Sequence, residues 1–506
     1  MKKKKELIII LGSLLVVILS VTLAYFTTEI FGTGKDISLD SANLKITFSS
    51  GSGNISGVNI EPGWSSGIST FTVKNESNSA YKYNIVIKDL VNTFVTKGFL
   101  LYKITSTDGG YNMSDFADVP KSTAATDTIL AYSVEIAKGV THTYSVEFKY
   151  ASSEEDQSDD MGKILSGTLF IEEGTEDPHG IYAQGTLGWQ IMDDNLTRVT
   201  RSSFSTTINI TNTGTLCKAT ESIAGSTPKD VYYFAGNATN NWVKFGGFYW
   251  RIIRTNHDGS IRLLYSGTSH NTTEGHIGTS AFNSTYNNPM YVGYMYGTSG
   301  SLASNRANTN NSTIKTYIDK WYSTNLSSYS KYISTEAVYC NDRKAPSYSA
   351  SSSFDYYVYT RLNAGNPTYD CEDSKDAFSG SNSEAKLTYP IGLMTGDEIV
   401  YAGGVYNTSL KSPYAWYYLN SAGGSITGST YWWLLSPGVW EGERYVTGAS
   451  SWNVRGSDDP GVLDAGYVSY SHGVRPAISL KTCTLWTSGN GAPETPYEIV
   501  YKIPLT

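Results

Sequence analysis

The sequence predicts a mostly β chain: a membrane-type helix first, an antiparallel sandwich next, and a mixed α+β domain last. Three observations carry this. The composition is 40% hydrophobic and only 17% charged, with 48 Gly and 39 Tyr, which suits strands and turns and excludes a globally disordered chain. Apolar and polar residues alternate over many short runs, the period-2 mark of half-buried strands. The 506 residues leave room for more than one domain.

The elements follow in order. Residues 1–6 carry Lys2, Lys3, Lys4 and Lys5 and read as a cytoplasmic basic tail. Residues 7–26 hold no charge and reach the roughly 20 residues that a bilayer-spanning helix needs. Positive charge before the span keeps the N-terminus inside and sends the rest out. The apolar stretch is longer than a usual signal-peptide core, which favours a retained anchor over a cleaved signal. Within 36–173, Tyr81, Tyr83, Ile85 and Ile87 alternate with Lys82, Asn84, Val86 and Lys88. Tyr144, Val146, Phe148 and Tyr150 alternate in the same way, and polar turns such as Asn75-Glu76-Ser77-Asn78 separate the runs. Several short strands of this kind predict an antiparallel sandwich.

The breaker cluster 174–180 opens an expected linker over 174–229, with one strand around Ile208–Thr211. The last domain is expected over 230–506. Val231–Ala235, Trp242–Phe245 and Phe248–Thr255 are strand-like, and Asn256-His257-Asp258-Gly259 turns the chain back into Ser260–Tyr265. Ile314, Tyr317, Ile318 and Trp321 share one helix face, with Ser312 or Thr313 as the cap. Thr395-Gly396-Asp397-Glu398 is a capping box, and Gly403 is its helix stop.

Charge and motifs narrow the function. A net charge of −8, with no basic cluster past residue 5, argues against a nucleic-acid partner. His-Glu-x-x-His and P-loop patterns are absent from the sequence. His270, Glu274 and His276, and the acidic run 154–160, read as solvated loops, so no metal or cofactor is expected. Cys340 and Cys371 bracket one loop of an exported domain and are expected to form a disulfide; Cys217 and Cys483 either pair or stay free.

Two resemblances add to this. Leu23-Ala24-Tyr25-Phe26-Thr27, Thr72-Val73-Lys74-Asn75 with Tyr81 and Tyr83, and the turn Asp159-Asp160-Met161-Gly162-Lys163 resemble the camelysin and biofilm-fibre group. That implies an immunoglobulin-like domain and, if the leader is cleaved near Ala24, a secreted chain. The second set of motifs runs in order through Trp250-Arg251-Ile252, Trp321-Tyr322, Cys340-Asn341-Asp342-Arg343, Tyr389-Pro390-Ile391-Gly392-Leu393-Met394-Thr395, Trp432-Trp433-Leu434-Leu435-Ser436-Pro437 and Val474-Arg475-Pro476. This order, closed by Gly489-Asn490-Gly491-Ala492 and Pro496-Tyr497-Glu498-Ile499, resembles C-type-lectin-fold surface proteins of the formylglycine-generating-enzyme branch. The variable proteins of diversity-generating retroelements share that fold. The enzymes of the branch use a Cys pair with copper, whereas Cys483 stands alone in the C-terminal part, so enzyme activity is not expected.

Residues 453–475 contain no Lys, Glu, Gln, Met or Trp, the residues that adenine randomisation of an Asn codon cannot produce. The stretch is rich in Asp, Ser, Tyr and His on Gly-punctuated loops, a composition suited to recognition. The expected binding face comprises Trp440, Glu443, Arg444, Trp452, Asn453, Arg455, Ser457, Asp458, Asp459, Asp464, Tyr467, Ser469, Tyr470, Ser471 and His472. Trp432, Trp433 and Val474 are expected in the core, and Arg475 as a buried structural cation. The function read from this is a receptor or adhesin on a bacterial surface, anchored through 7–26, with a protein or glycan ligand on host, phage or neighbouring cells. The alternatives are a biofilm-matrix fibre subunit and an extracellular enzyme on the same scaffold.

Overall fold

The structure is a computed structural model that describes residues 60–154, 156–204, 214–346, 349–442 and 447–501, with the backbone of two strands, Asp36–Leu39 and Leu44–Thr47. The basic tail, the apolar segment 7–26 and the expected strand at Ile208–Thr211 lie outside the described residues. Among the described residues, no helix is long and apolar enough to cross a membrane. Most regular structure is strand, in two compact units that divide between Gly180 and Ile181.

The first unit is built from two antiparallel sheets. One sheet runs in spatial order through Asp36–Leu39, Leu44–Thr47, Ser69–Asn75, Thr141–Tyr150, Leu100–Ser106 and Ala117–Asp118. The other places Tyr81–Asn92 between Ser122–Ile136 and Leu165–Glu173. Phe71, Tyr144, Val146 and Phe148 from the first sheet pack with Tyr83, Ile85, Ile87, Leu169 and Ile171 from the second in one core. Strand Thr141–Tyr150 alternates as its sequence predicts. Strand Tyr81–Asn92 departs from the simple pattern, because Asn84 and Val86 are buried too. Asn84 sits there because its carboxamide accepts from the Ser133 and Thr175 N–H groups and donates to Thr175 Oγ1. The acidic run ends in a structural tie: Asp160 is buried and accepts from the N–H groups of Val95 and Thr96 and from the Tyr150 hydroxyl.

The second unit begins at Ile181, which corrects the expected linker. Residues 181–229 contribute the helix Leu187–Asp193 and the strands Thr197–Thr200 and Thr215–Glu221, and the helix buries Leu187, Ile191 and Met192 in the unit's core. The chain here is rich in Thr, Ser and Asn, so its apolar period is too short to read in sequence. A ten-stranded sheet joins the two ends of the unit. Thr215–Glu221, Lys229–Tyr233, Phe248–Thr255 and Trp242–Phe245 lie side by side, and Tyr497–Ile499 pairs parallel to Trp242–Phe245. Strand Phe248–Thr255 also pairs with Ile261–Tyr265, which continues through Pro476–Leu480 to Gly392–Leu393.

Helix Thr313–Asn325 starts at Ser312, whose side chain accepts from Lys315 N. Helix Gly396–Ala402 starts at the Thr395–Glu398 capping box and stops at Gly403, where φ is 116°. A further short helix, Tyr357–Asn363, carries no strong sequence signal.

A second sheet carries the C-terminal recognition sequence. Its order is Thr279–Ser280, His472–Gly473, Trp432–Glu441, Gly448–Val454 and Leu463–Tyr467, with Phe354–Asp355 also pairing with Trp432–Glu441. Trp432, Trp433 and Val474 are buried. Register shifts flank Pro437, the residue that cannot donate to the ladder.

Candidate functional site

The site is set by strand alternation at the edge of the second sheet. Strand Leu463–Tyr467 is the last of its path, and Asn453 pairs with both Trp433 and Asp464 while Ser451 pairs with Gly466. Cross-strand partners share a face, so Trp433, Asn453, Asp464 and Gly466 lie on one side. Trp452 and Ala465, with Ser450 and Tyr467, take the other.

Arg455 is the polar centre of the first side. Its Nε and Nη2 donate to Asp464 Oδ2 at 3.0 and 2.6 Å, and its Nη1 donates to Asp459 Oδ2 at 2.5 Å. The guanidinium also lies 5.6 Å from the centre of the Tyr431 ring. His472 packs 4.4 Å from Trp433, 5.6 Å from Tyr431 and 6.0 Å from Tyr470, centre to centre. Burial lowers its pKa to about 4, so the imidazole is neutral at physiological pH. Tyr470 is 50% exposed and stands edge-on to Tyr467 at 5.6 Å. The Tyr467 hydroxyl donates to Glu441, which raises its pKa to about 12. Ser457, Asp458 and Ser471 are exposed, and Asp459 and Ser469 are partly so.

The structure therefore brings together Asn453, Arg455, Asp459, Asp464, Tyr470 and His472. It corrects two of the expected contacts. Trp440 is buried because its strand is paired on both sides, at Phe354 and at Ala449, and its Nε1 donates to Ala350 O. Trp452 is buried on the opposite side of the sheet, 5.1 Å from Tyr359 and 5.3 Å from Tyr406. Trp452 thus backs the face from the other side of the sheet. Asn453 is buried as well and forms its floor. Glu443 and Arg444 lie outside the described residues. Sequence reasoning missed Tyr431, which sits beside two core tryptophans in the chain.

A second polar cluster lies deep in the same unit, around a cavity of about 20 Å3, room for roughly one water. Arg254 bonds Glu221 and Glu398 at 2.9 and 2.8 Å, Arg262 bonds Glu398 at 2.7 Å, and Arg361 bonds Asp342 and Asp397 at 2.8 Å each. Burial alone would raise the Glu221 pKa, but the Arg254 charge overrides it and brings it down to about 2. Burial raises the Asp342 pKa against the pull of Arg361. Each of these carboxylates holds a guanidinium, an arrangement that ties strands to helices. The Cys340–Cys371 disulfide borders the cavity; Cys217 is free and buried, and Cys483 free and exposed.

Arg475 is fully buried, donating to the carbonyls of Tyr265 and Tyr417 and lying 4.6 Å from the centre of the Trp432 ring. Among the described residues, no group of three or more His, Cys, Asp or Glu is placed to hold a metal ion. No protein-family model, curated protein or solved structure matches the chain.

Proposed function

We propose that this is a surface-displayed binding protein whose recognition face lies on the second unit between Asn453 and His472. In this reading the segment 7–26 anchors the chain to a bacterial membrane, the first unit is an immunoglobulin-like module, and the second is C-type-lectin-like. The motif order named above supports those assignments. Recognition, not turnover, is the activity.

One observation carries the reading. Arg455, Asp464, Tyr470 and His472 gather around the partly exposed strand Leu463–Tyr467, in a sheet that fully buries Trp433 and Trp452. Polar and aromatic groups held on a rigid frame can bind without first being ordered. The segment's residue types also suit diversification by a retroelement.

Deep sequencing of codons 436–480 across the source cell population tests the diversified form. Adenine-confined variation at the codons for the exposed positions, with Trp432–Pro437 and Val474–Leu480 constant, is the expected result. A uniform sequence would remove active diversification there. The binding reading is tested by probing combined protein and glycan arrays with the full chain and with Tyr470→Ala. A signal that depends on Tyr470 is expected; signals indifferent to it would overturn the assigned face.

A further inference from the structure

Resting on the reading of residues 7–26 as a membrane anchor, we infer that one end of the first unit is a lipid-contacting surface, where Val95, Met161 and Ile164 enter the headgroup layer. These three apolar side chains are 47%, 78% and 45% exposed. They stand on two loops tied to each other. Asp160 accepts from the Val95 and Thr96 N–H groups. Thr93 N donates to Ile164 O at 2.9 Å, and Ile164 N donates to the Thr93 hydroxyl at 2.7 Å. The Tyr150 hydroxyl donates to Asp160 at 3.0 Å, so strand Thr141–Tyr150 ends beside both loops. Half-buried Trp64 joins this end, its carbonyl accepting from Tyr150 N. Tryptophan is a residue that membrane interfaces favour.

Strand directions bring the chain in on this side. Asp36 pairs with Thr47, Thr47 with Thr72, and Thr72 with Thr143, each time antiparallel. Strand Asp36–Leu39 therefore runs against Thr141–Tyr150, and the chain enters Asp36 from the Tyr150 end. At the usual rise per residue, Tyr150 lies about 24 Å beyond Thr143. The chain from Phe26 to Asp36 reaches at most about 36 Å even when fully extended. Measured along the strands, at most about 12 Å is left between Tyr150 and the apolar segment, which puts the two loops within reach of the headgroups.

The patch itself fits lipid better than protein. Three protruding apolar tips are too few for a stable protein interface, whereas a lipid surface accepts them one by one. The surrounding charge is mixed: exposed Lys121 donates to Val95 O at 2.7 Å, and Glu154, Asp156 and Asp159 are exposed acids. Apolar contact, not attraction to anionic headgroups, is therefore the expected driving term.

The experiment reconstitutes the full chain in vesicles of phosphatidylcholine and phosphatidylglycerol. An environment-sensitive dye is placed by Met161→Cys or Ile164→Cys at this end, and by Lys138→Cys at the other, where Gly139 N donates to Asn75 O. Each variant also carries Cys483→Ser; Cys217 is buried and the remaining pair is bonded. Lipids with a nitroxide near the headgroup are expected to quench the dye at 161 and 164 at least twofold and leave the dye at 138 unchanged, also in about 1 M salt, where surface charge is screened. Thermal melts of the labelled chains verify folding, and the two sites at one end guard against a single disruptive label. A chain that carbonate washing removes from the vesicles overturns the anchor reading and the inference with it. In a chain that stays, quenching at 138, quenching at no site, or quenching lost in salt overturns the inference alone. Protection of the dye at 161 from aqueous iodide without nitroxide quenching means that protein covers the patch, and also overturns it.

Discussion

Arg254 Nε donates to Glu398 Oε1 at 2.8 Å, between side chains that are 3% and 1% exposed. The same oxygen accepts from Arg262 Nη1, while Oε2 accepts from Thr395 N at the start of helix Gly396–Ala402. One carboxylate thus joins two strands of the large sheet to a helix cap. Removing it takes the carboxylate from buried Arg262 and leaves Arg254 with Glu221 alone, so Glu398→Ala is expected to destabilise the second unit by about 3–5 kcal/mol. Urea unfolding followed by tryptophan fluorescence measures this, since most of the tryptophans lie past residue 181.

Acid acts on the same network. The Glu221 pKa is about 2 in the folded state against an ordinary 4.5. A depressed carboxylate stabilises the fold above its unfolded pKa, and this contribution is lost as pH falls through the folded value. Stability of the second unit is therefore expected to decline between pH 4.5 and pH 2, and Glu221→Gln to flatten that part of the curve. Denaturation midpoints taken across this range check it.

The disulfide closes a loop of sequence separation 31. Cys371→Ser is expected to cost about 3–4 kcal/mol through the freedom it returns to the unfolded chain. Reductant added to the wild-type protein should lower the unfolding midpoint by a similar amount, and should leave the variant unchanged.

Support and surface separate by mutation. Trp452→Ala empties a buried site packed against Tyr359 and Tyr406 and is expected to cost about 3–5 kcal/mol. Asp458→Ala, at an exposed turn, should change stability by no more than about 0.5 kcal/mol. Thermal melts of the two variants distinguish these roles; an equal effect would contradict the core placement of Trp452.

The His472 ring should titrate near pH 4, followed by NMR of its imidazole protons. A midpoint near 6.5, the unperturbed value, would mean that the ring is not packed against Trp433 as described.

Local signals were legible in the sequence because they are local in origin. The alternation of Tyr144, Val146, Phe148 and Tyr150, the Ser312 cap and the Thr395–Glu398 box with Gly403 each depend on residues a few positions apart. The Cys340–Cys371 pair was legible from its spacing and the expected export of the chain. The helix Leu187–Asp193 was not: it is short, and its burial comes from strands that follow it in the chain.

The sequence by itself determined a mostly β chain, its strand-rich first part, the two capped helices and the stretch from Asn453 to His472 as polar, aromatic and loop-rich. Tertiary structure alone decided which of those residues face outward. Trp440, Trp452 and Tyr470 are all large aromatics of the kind that anchor interfaces, but neighbouring strands or tyrosines cover the first two and leave the third half exposed. Burial is a property of what packs against a side chain, and for these residues the covering groups come from as far away as Phe354, Tyr359 and Tyr406.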